Sequence, residues 1–248
     1  KGLFIHFRAS KAFTLAIDTP SGLSTDKVPE DENDVVWAGY ALSFVTPKLV
    51  FFLPETAKYT VQWEVLDIGL DTDFLFNTVT EAALIGKNEV LPLYVPRDKF
   101  SHKGKFGHSL IIGGSYGKIG AVTLASRAAL SSGAGLVSSY VPKCGYVPLQ
   151  SSFPEAMVIT DANDEKITKI DFEIKPTVIS FGVGAGTDAQ TIKAFEDFLK
   201  KNKTPLVIDA DGVNILAKKK VLLKLIPLQT VLTPHPKELE RLIGKWKD

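Results

Sequence analysis

Cysteine, long apolar runs and blocks of one-signed charge are all scarce in this 248-residue chain. Its only cysteine, Cys144, has no partner for an intramolecular disulfide. No charged-then-apolar leader precedes the first apolar strand, so a reducing, cytoplasmic setting is expected. No apolar run approaches the roughly 20 residues that span a bilayer, which argues against a membrane protein. Twenty-nine basic and 28 acidic side chains leave a formal charge of +1, and neither sign is clustered. That balance argues against nucleic acid or a charged membrane surface as partner and leaves a small molecule. Fixed-period repeats and low-complexity tracts are missing as well. The chain is 45% hydrophobic, ordinary for a core-forming protein, and long enough for one large domain or two small ones.

From about residue 108 onward a short aliphatic run, a glycine- or proline-bearing turn and a helix-spaced segment recur. "HSLIIGG" reads as strand before the helix "GAVTLASRAALSS", and "TVISFG" before "DAQTIKAFEDFLKKN". "PLVIDAD" leads in the same way to "GVNILAKKK", and "QTVLTPH" to "PKELERLIG". Strict alternation predicts a mainly parallel sheet with helices on its faces, and near-continuous apolar strands predict burial on both faces. Earlier, "FTLAID" reads as a buried strand, and "GYALSFVTPKLVFFLPE" and "WEVLDIGL" as two more with little helix between them. A domain boundary is expected near residue 77.

Four constellations carry candidate chemistry. In "IIGGSYGKIGA" a strand runs through Gly114 and Ser115 into a helix that starts near Ala121, a fit for an anion held by backbone N–H groups and a helix amino end. The same turn also serves as plain strand-to-helix packing. "VISFGVGAGTD" repeats the arrangement with Gly182, Gly184 and Gly186, and Thr187 or Asp188 caps the following helix. In "LVIDADGVNIL", Asp209 and Asp211 suit a hydrated magnesium ion or a substrate hydroxyl, and Asp211 alternatively serves only as a helix cap. In "VLTPHPKELERL", His235 lies on the strand-to-helix loop, Pro236 suits the first helical turn and Glu238 suits the helix dipole. His102, Lys103 and Lys105 read equally as phosphate contacts or as a solvated entry to a strand, while Cys144 and Met157 are assigned to packing. Near the start of the chain, "LAIDTPSGLSTD" places the carboxylate of Asp18 at the end of a buried strand, followed at once by Pro20, Ser21 and Gly22.

Taken in order, "HKGKFGHSLIIGGSYGKIGA", "SGAGLV", "PEAMV", "GVGAG", "VIDADGVNIL" and "LTPHPKELERL" resemble the carboxyl-terminal half of the bifunctional NAD(P)H-hydrate repair enzymes. That half is an ADP- or ATP-dependent NAD(P)H-hydrate dehydratase of ribokinase-like fold. "AIDTPSGL" resembles a late loop of the epimerase domain that precedes it. The resemblance implies an α/β protein in two parts: residues 1–77, the late part of a Rossmann-like epimerase domain, and residues 78–248, the early part of a ribokinase-like, mainly parallel α/β/α dehydratase domain.

It further implies that Asp18 contacts the hydrated nucleotide in the epimerase and that Ser21 helps bind potassium. In the dehydratase it implies that Ala121, Gly184 and His235 line the hydrated nicotinamide. Gly114, Ser115, Asp209, Asp211 and Glu238 are weaker candidates for substrate or phosphate contacts. The implied reaction is loss of water from the S form of NADHX or NADPHX, driven by ADP or ATP with Mg2+, while the epimerase interconverts the R and S hydrates. The family's "GGSGD"-like acidic turn and "GNNGGDG"-like loop do not occur in these residues. The catalytic acid is therefore unassigned, and the expectation is an internal portion that is inactive alone and prone to self-association as a homo-oligomer. Two other readings stay open: a ribokinase-like kinase for a sugar or a hydroxymethylpyrimidine, and a non-catalytic nucleotide-binding module.

Overall fold

The alternation of apolar runs and helix-spaced segments builds two sheets, and every strand pair in both is parallel. A computed structural model describes residues 2–9, 11–25, 27–80 and 82–245. The chain divides into two units, residues 1–95 and 96–248.

The first unit comprises α1 (Gly2–Ala9), β1 (Leu15–Ile17), β2 (Ala38–Phe44), β3 (Thr60–Leu66), α2 (Thr72–Asn77) and α3 (Lys87–Val90), with sheet order β1-β2-β3. The run "GYALSFVTPKLVFFLPE" does not stay extended throughout. Its strand stops at Phe44, Val45 takes a positive φ of 66°, Pro47 supplies no donor, and Leu49–Phe51 coils into a 3-10 turn. That turn tucks Val50 and Phe51 into a core with Ala16, Ala38, Ala41 and Tyr59, where Phe51 stacks on Trp63 with ring centroids 5.4 Å apart. The first unit runs to Val95, where the sequence reading expected a boundary near residue 77, and Thr80 and Ala82–Leu84 line a pocket of about 520 Å³ with Thr46, Pro47, Leu49 and Phe52.

In the second unit β4 (His108–Ile112), β5 (Leu136–Val141), β6 (Met157–Thr160), β7 (Val178–Phe181), β8 (Leu206–Ile208) and β9 (Val231–Leu232) pair in the order β6-β5-β4-β7-β8-β9. The helices are α4 (Ile119–Ser131), α5 (Tyr146–Ser152), α6 (Ala189–Leu199), α7 (Asp211–Lys218) and α8 (Pro236–Ile243). Side chains alternate across β4. Leu110 and Ile112 join Phe181, Ile208 and the α6 and α7 residues Phe195 and Val213. Ile111 faces the other way, to Val122 of α4, Val137 and Leu149 of α5. The sheet is thus covered on both faces, and Phe181 lies flat against Phe195 with centroids 3.8 Å apart and planes 2° apart.

Every strand and helix expected between "HSLII" and "PKELERLIG" forms, and β5, β6 and α5 are added to them. Met157 does not pack inside: it lies on the edge strand β6, 44% exposed. Chain order runs outward through β4, β5 and β6, then returns to place β7 on the other side of β4. In a parallel sheet such a reversal opens a crevice at the carboxyl ends of the two strands that flank it.

Candidate active site at the carboxyl edge of the second sheet

Four neighbouring strands, β4, β7, β8 and β9, deliver the four sequence constellations to one edge of the sheet. The turns after β4 and β7 are bound to each other. Gly114 N–H donates to the Val183 carbonyl (2.8 Å), and the Ser115 hydroxyl donates to the Gly184 carbonyl (2.8 Å). Gly184 has φ +65°, and a Cβ there would lie 2.7 Å from the Lys118 carbonyl and 3.3 Å from Ala121 Cβ. Glycine at 184 and alanine at 121 therefore let the second turn seat on the first turn of α4. Gly114, Ser115, Ala121 and Gly184 form one wall at the reversal point.

The turn after β8 adjoins them. Gly212 N–H donates to the Asp209 carbonyl (2.8 Å), and Ala210 between them has φ 47° and ψ −116°, a type II′ geometry normally given to glycine. Asp211 does not cap α7. It is the first helical residue, its carboxylate accepts the Gly186 N–H (2.9 Å), and Lys118 Nζ approaches to 3.9 Å. Asp211 thus ties the β7 turn to the β8 turn. Among the described residues Asp209 has no side-chain partner, so its half-buried carboxylate is available at the crevice.

His235 and Glu238 form a separate pair one strand further out. His235 is the N-cap of α8: its Nδ1 accepts the Lys237 N–H (3.2 Å), while Glu238 Oε2 accepts the His235 N–H (3.1 Å). No hydrogen bond joins this pair to Gly184 or Ala121. Asp188, and not Thr187, caps α6 by accepting the Gln190 N–H (3.0 Å). His102, Lys103 and Lys105 are exposed on a 3-10 turn that feeds the amino end of β4, at the opposite edge of the sheet.

Sequence reasoning passed over Asp161, at the end of β6. It is 2% exposed, and its carboxylate accepts the backbone N–H groups of Asn163, Thr168 and Lys169 and the Thr168 hydroxyl, at 2.6–2.9 Å. Burial opposes its ionisation, but these donors outweigh burial and hold the carboxyl below the ordinary aspartate range. The loop so fixed supports the site from behind, since the Glu165 carbonyl accepts the Tyr116 N–H (2.8 Å). An "MVITDAND" stretch, in which an acid follows a strand and precedes a turn-forming Asn, is the signal for such an anchor.

In the first unit Asp18 lies at the carboxyl end of β1 with φ 67°. Its carboxylate accepts the Phe44 N–H (3.1 Å) and the Ser43 hydroxyl (3.4 Å), with Lys48 Nζ at 3.3 Å. Burial opposes ionisation here too, yet the Phe44 amide, the Lys48 ammonium and Ser43 keep the carboxyl below its usual range. The exposed Ser21 hydroxyl has no partner among the described residues, and the Ser21 carbonyl accepts the Val36 N–H (2.9 Å). No group of three or more His, Cys, Asp or Glu among the described residues could hold a metal, and no described helix is long and apolar enough to cross a membrane.

A doubly covered parallel sheet with glycine turns gathered at its reversal point defines an α/β enzyme architecture suited to phosphate-bearing ligands. The family model for NAD(P)H-hydrate dehydratase matches residues 109–248, and the chain belongs to that family. It is 33% identical over 241 residues to the bifunctional NAD(P)H-hydrate repair enzyme Nnr of Coxiella burnetii, an alignment that covers 94% of this chain and 46% of that protein. The chain thus spans about half the length of the curated relatives of that kind. It resembles a ribokinase-like superfamily protein from Enterococcus faecalis (TM-score 0.51, 28% identity, 59% of this chain and 51% of that one). It also resembles the ADP/ATP-dependent NAD(P)H-hydrate dehydratase of Bacillus subtilis co-crystallised with ATP and Mg2+ (TM-score 0.50, 27% identity, 64% of this chain and 55% of that one). The ribokinase-like, parallel α/β fold expected from the motifs is the fold observed.

Two stability measurements follow from this geometry. Ala210→Gly relieves the positive-φ strain at the β8 turn, worth about 1–3 kcal/mol, against a smaller entropic loss, so urea unfolding should show a gain of about 1 kcal/mol; a loss would mean the turn is unstrained. Asp161 ionises more readily folded than unfolded, so its contribution is complete above the ordinary aspartate pKa and falls away as pH drops through its lower folded value. Asp161→Asn should therefore cost about 2–4 kcal/mol at neutral pH, and the gap to wild type should shrink in acid; a gap constant with pH would contradict the assignment.

Proposed function

We propose that residues 96–248 contribute the substrate wall of an ADP- or ATP-dependent NAD(P)H-hydrate dehydratase, which removes water from the S form of NADHX or NADPHX. The observation that carries this reading is the joined pair of turns at Gly114–Lys118 and Gly182–Asp188 at the reversal point of the sheet. Backbone N–H groups and the amino end of α4 offer neutral donors there, so a phosphate-rich ligand is held without a fixed excess of positive charge. Ala121 and Gly184 lack bulk where the hydrated ring must approach, and the Ser115 hydroxyl is spent on holding Gly184 in place.

The nucleotide supplies a phosphoryl group that makes the ring hydroxyl a better leaving group. The residues present fit a magnesium ion that arrives on nucleotide phosphates and keeps its waters, because Asp209 offers one half-buried carboxylate with no partner among the described residues. For the first unit we read Asp18 as a substrate contact of an epimerase-like site. Potassium at Ser21 is a weaker fit, because one hydroxyl is a single oxygen ligand of the several such an ion needs.

In the full-length protein, NADHX supplied with ADP or ATP and magnesium should regain reduced-nicotinamide absorbance. Ala121→Phe, which fills the crevice, should lower that rate at least about a hundredfold while the fold persists, in the range expected when positioning of the reacting group is lost. Phosphorylation of a sugar with no effect on NADHX would assign the kinase reading instead.

A further inference from the structure

Helix α7 carries Asp211, Asn214, Ala217 and Lys218 on one face, as their spacing of three and four residues requires. With Thr187 of the β7 turn and Arg241 of α8, that face lines a pocket of about 420 Å³, roomy enough for part of a nucleotide. The two cations of the lining have only neutral partners among the described residues. Lys218 Nζ donates to the Thr187 hydroxyl (2.7 Å), and an Arg241 guanidinium nitrogen donates to Asn214 Oδ1 (2.8 Å). One carboxylate lines the pocket, that of Asp211. It already accepts the Gly186 N–H (2.9 Å) and has Lys118 Nζ at 3.9 Å. By contrast Lys219, next to Lys218 in sequence, lies 2.6 Å from a Glu196 oxygen, and Lys193 lies 2.8 Å from Asp197.

We propose that this pocket is a phosphate-binding subsite, in which Lys218 and Arg241 together hold a phosphate or diphosphate group of a nucleotide. Lys118 balances the charge of Asp211, so the lining keeps two positive charges that no carboxylate offsets. A guanidinium has five N–H donors and an ammonium three; each spends one on its neutral partner and keeps the rest for a ligand. Bonds from these groups to an anion are stronger than those to a hydroxyl or an amide oxygen. Thr187 and Asn214 hold the two long side chains at the pocket wall beforehand, which lowers the ordering cost of binding. Asp211 also ties the β7 turn to the β8 turn, so the subsite adjoins the crevice. The proposal deepens the dehydratase reading and rests on it for the nucleotide's identity; the arrangement of charges does not depend on it.

The test is calorimetric titration of the full-length protein with inorganic pyrophosphate. Wild type should bind it, and Lys218→Gln and Arg241→Gln should each weaken binding about tenfold or more, the loss expected for one hydrogen bond to a charged group. Lys193→Gln, on α6 outside the pocket, should leave the affinity unchanged. Thr187→Glu sets a carboxylate beside Lys218 without removing a cation; it should also weaken binding, and it serves if the other variants do not fold. No binding by wild type, or equal affinity in all folded variants, would overturn the proposal. Steady-state rates separate the sources of the phosphate. A raised KM for ADP with kcat kept assigns the group to the co-substrate, and a raised KM for NADPHX but not NADHX assigns it to the 2′-phosphate. Unchanged KM for all three would overturn the assignment to a nucleotide. Pyrophosphate binding as described with no NADHX turnover would remove the dehydratase reading and leave the subsite standing.

Discussion

The carboxyl edge of the second sheet depends on a backbone contact that no side chain could share. A Cβ at position 182 would lie 2.1 Å from the Asp209 carbonyl and 2.5 Å from the Gly212 nitrogen, so the β7 turn and the β8 turn touch main chain to main chain. That approach brings Gly186 within reach of the Asp211 carboxylate, and the same β7 turn holds Ser115 through the Gly184 carbonyl. Three loops from three neighbouring strands thereby become one surface. The hydrogen bonds among these loops fix the direction of the main-chain groups along that surface.

The surface is held in place from below and from the side. Beneath it, β4 sends Leu110 and Ile112 into one core and Ile111 into the other, so the strand is fixed on both faces. To one side, Asp161 gathers four donors from the chain after β6 and sets the loop whose Glu165 carbonyl receives Tyr116. Backbone strain is placed just past strand ends in both units: Asp18 follows β1, Val45 follows β2 and Ala210 follows β8, all with positive φ. Conformations of that cost persist where the surrounding structure over-determines them, and they concentrate at ligand-handling sites.

Much of this was legible in the sequence. Runs such as "HSLII", "TVISF" and "PLVID" read as strands buried on both sides, and the helices after them have clear apolar spacing. β5 was hidden because Ser138 and Ser139 interrupt "LVSSYV"; both are buried, paired through their hydroxyls with His108 and Ser126. β6 is short and at the sheet edge, so its "MVIT" has little apolar contrast. The run "LVFF" misled for the opposite reason, since apolar residues suit a tucked 3-10 turn as well as a strand. At the site, glycine-rich turns were visible as candidates, but strand order was not, and only strand order shows that "IIGGS" and "VISFG" are neighbours. The partner of Asp211 likewise depends on a contact across the fold, which spacing alone does not reveal.

Family membership and the strand reversal between β4 and β7 are the two grounds on which a site for a hydrated nicotinamide nucleotide is proposed there. Amide hydrogen exchange on the full-length protein, with and without the S form of NADHX, tests that placement most directly. The account predicts that added protection centres on Gly114–Ala121 and Gly182–Gly186. Protection confined to the depression between Thr168–Phe172 and the end of α6, or no protection anywhere in residues 96–248, would contradict it.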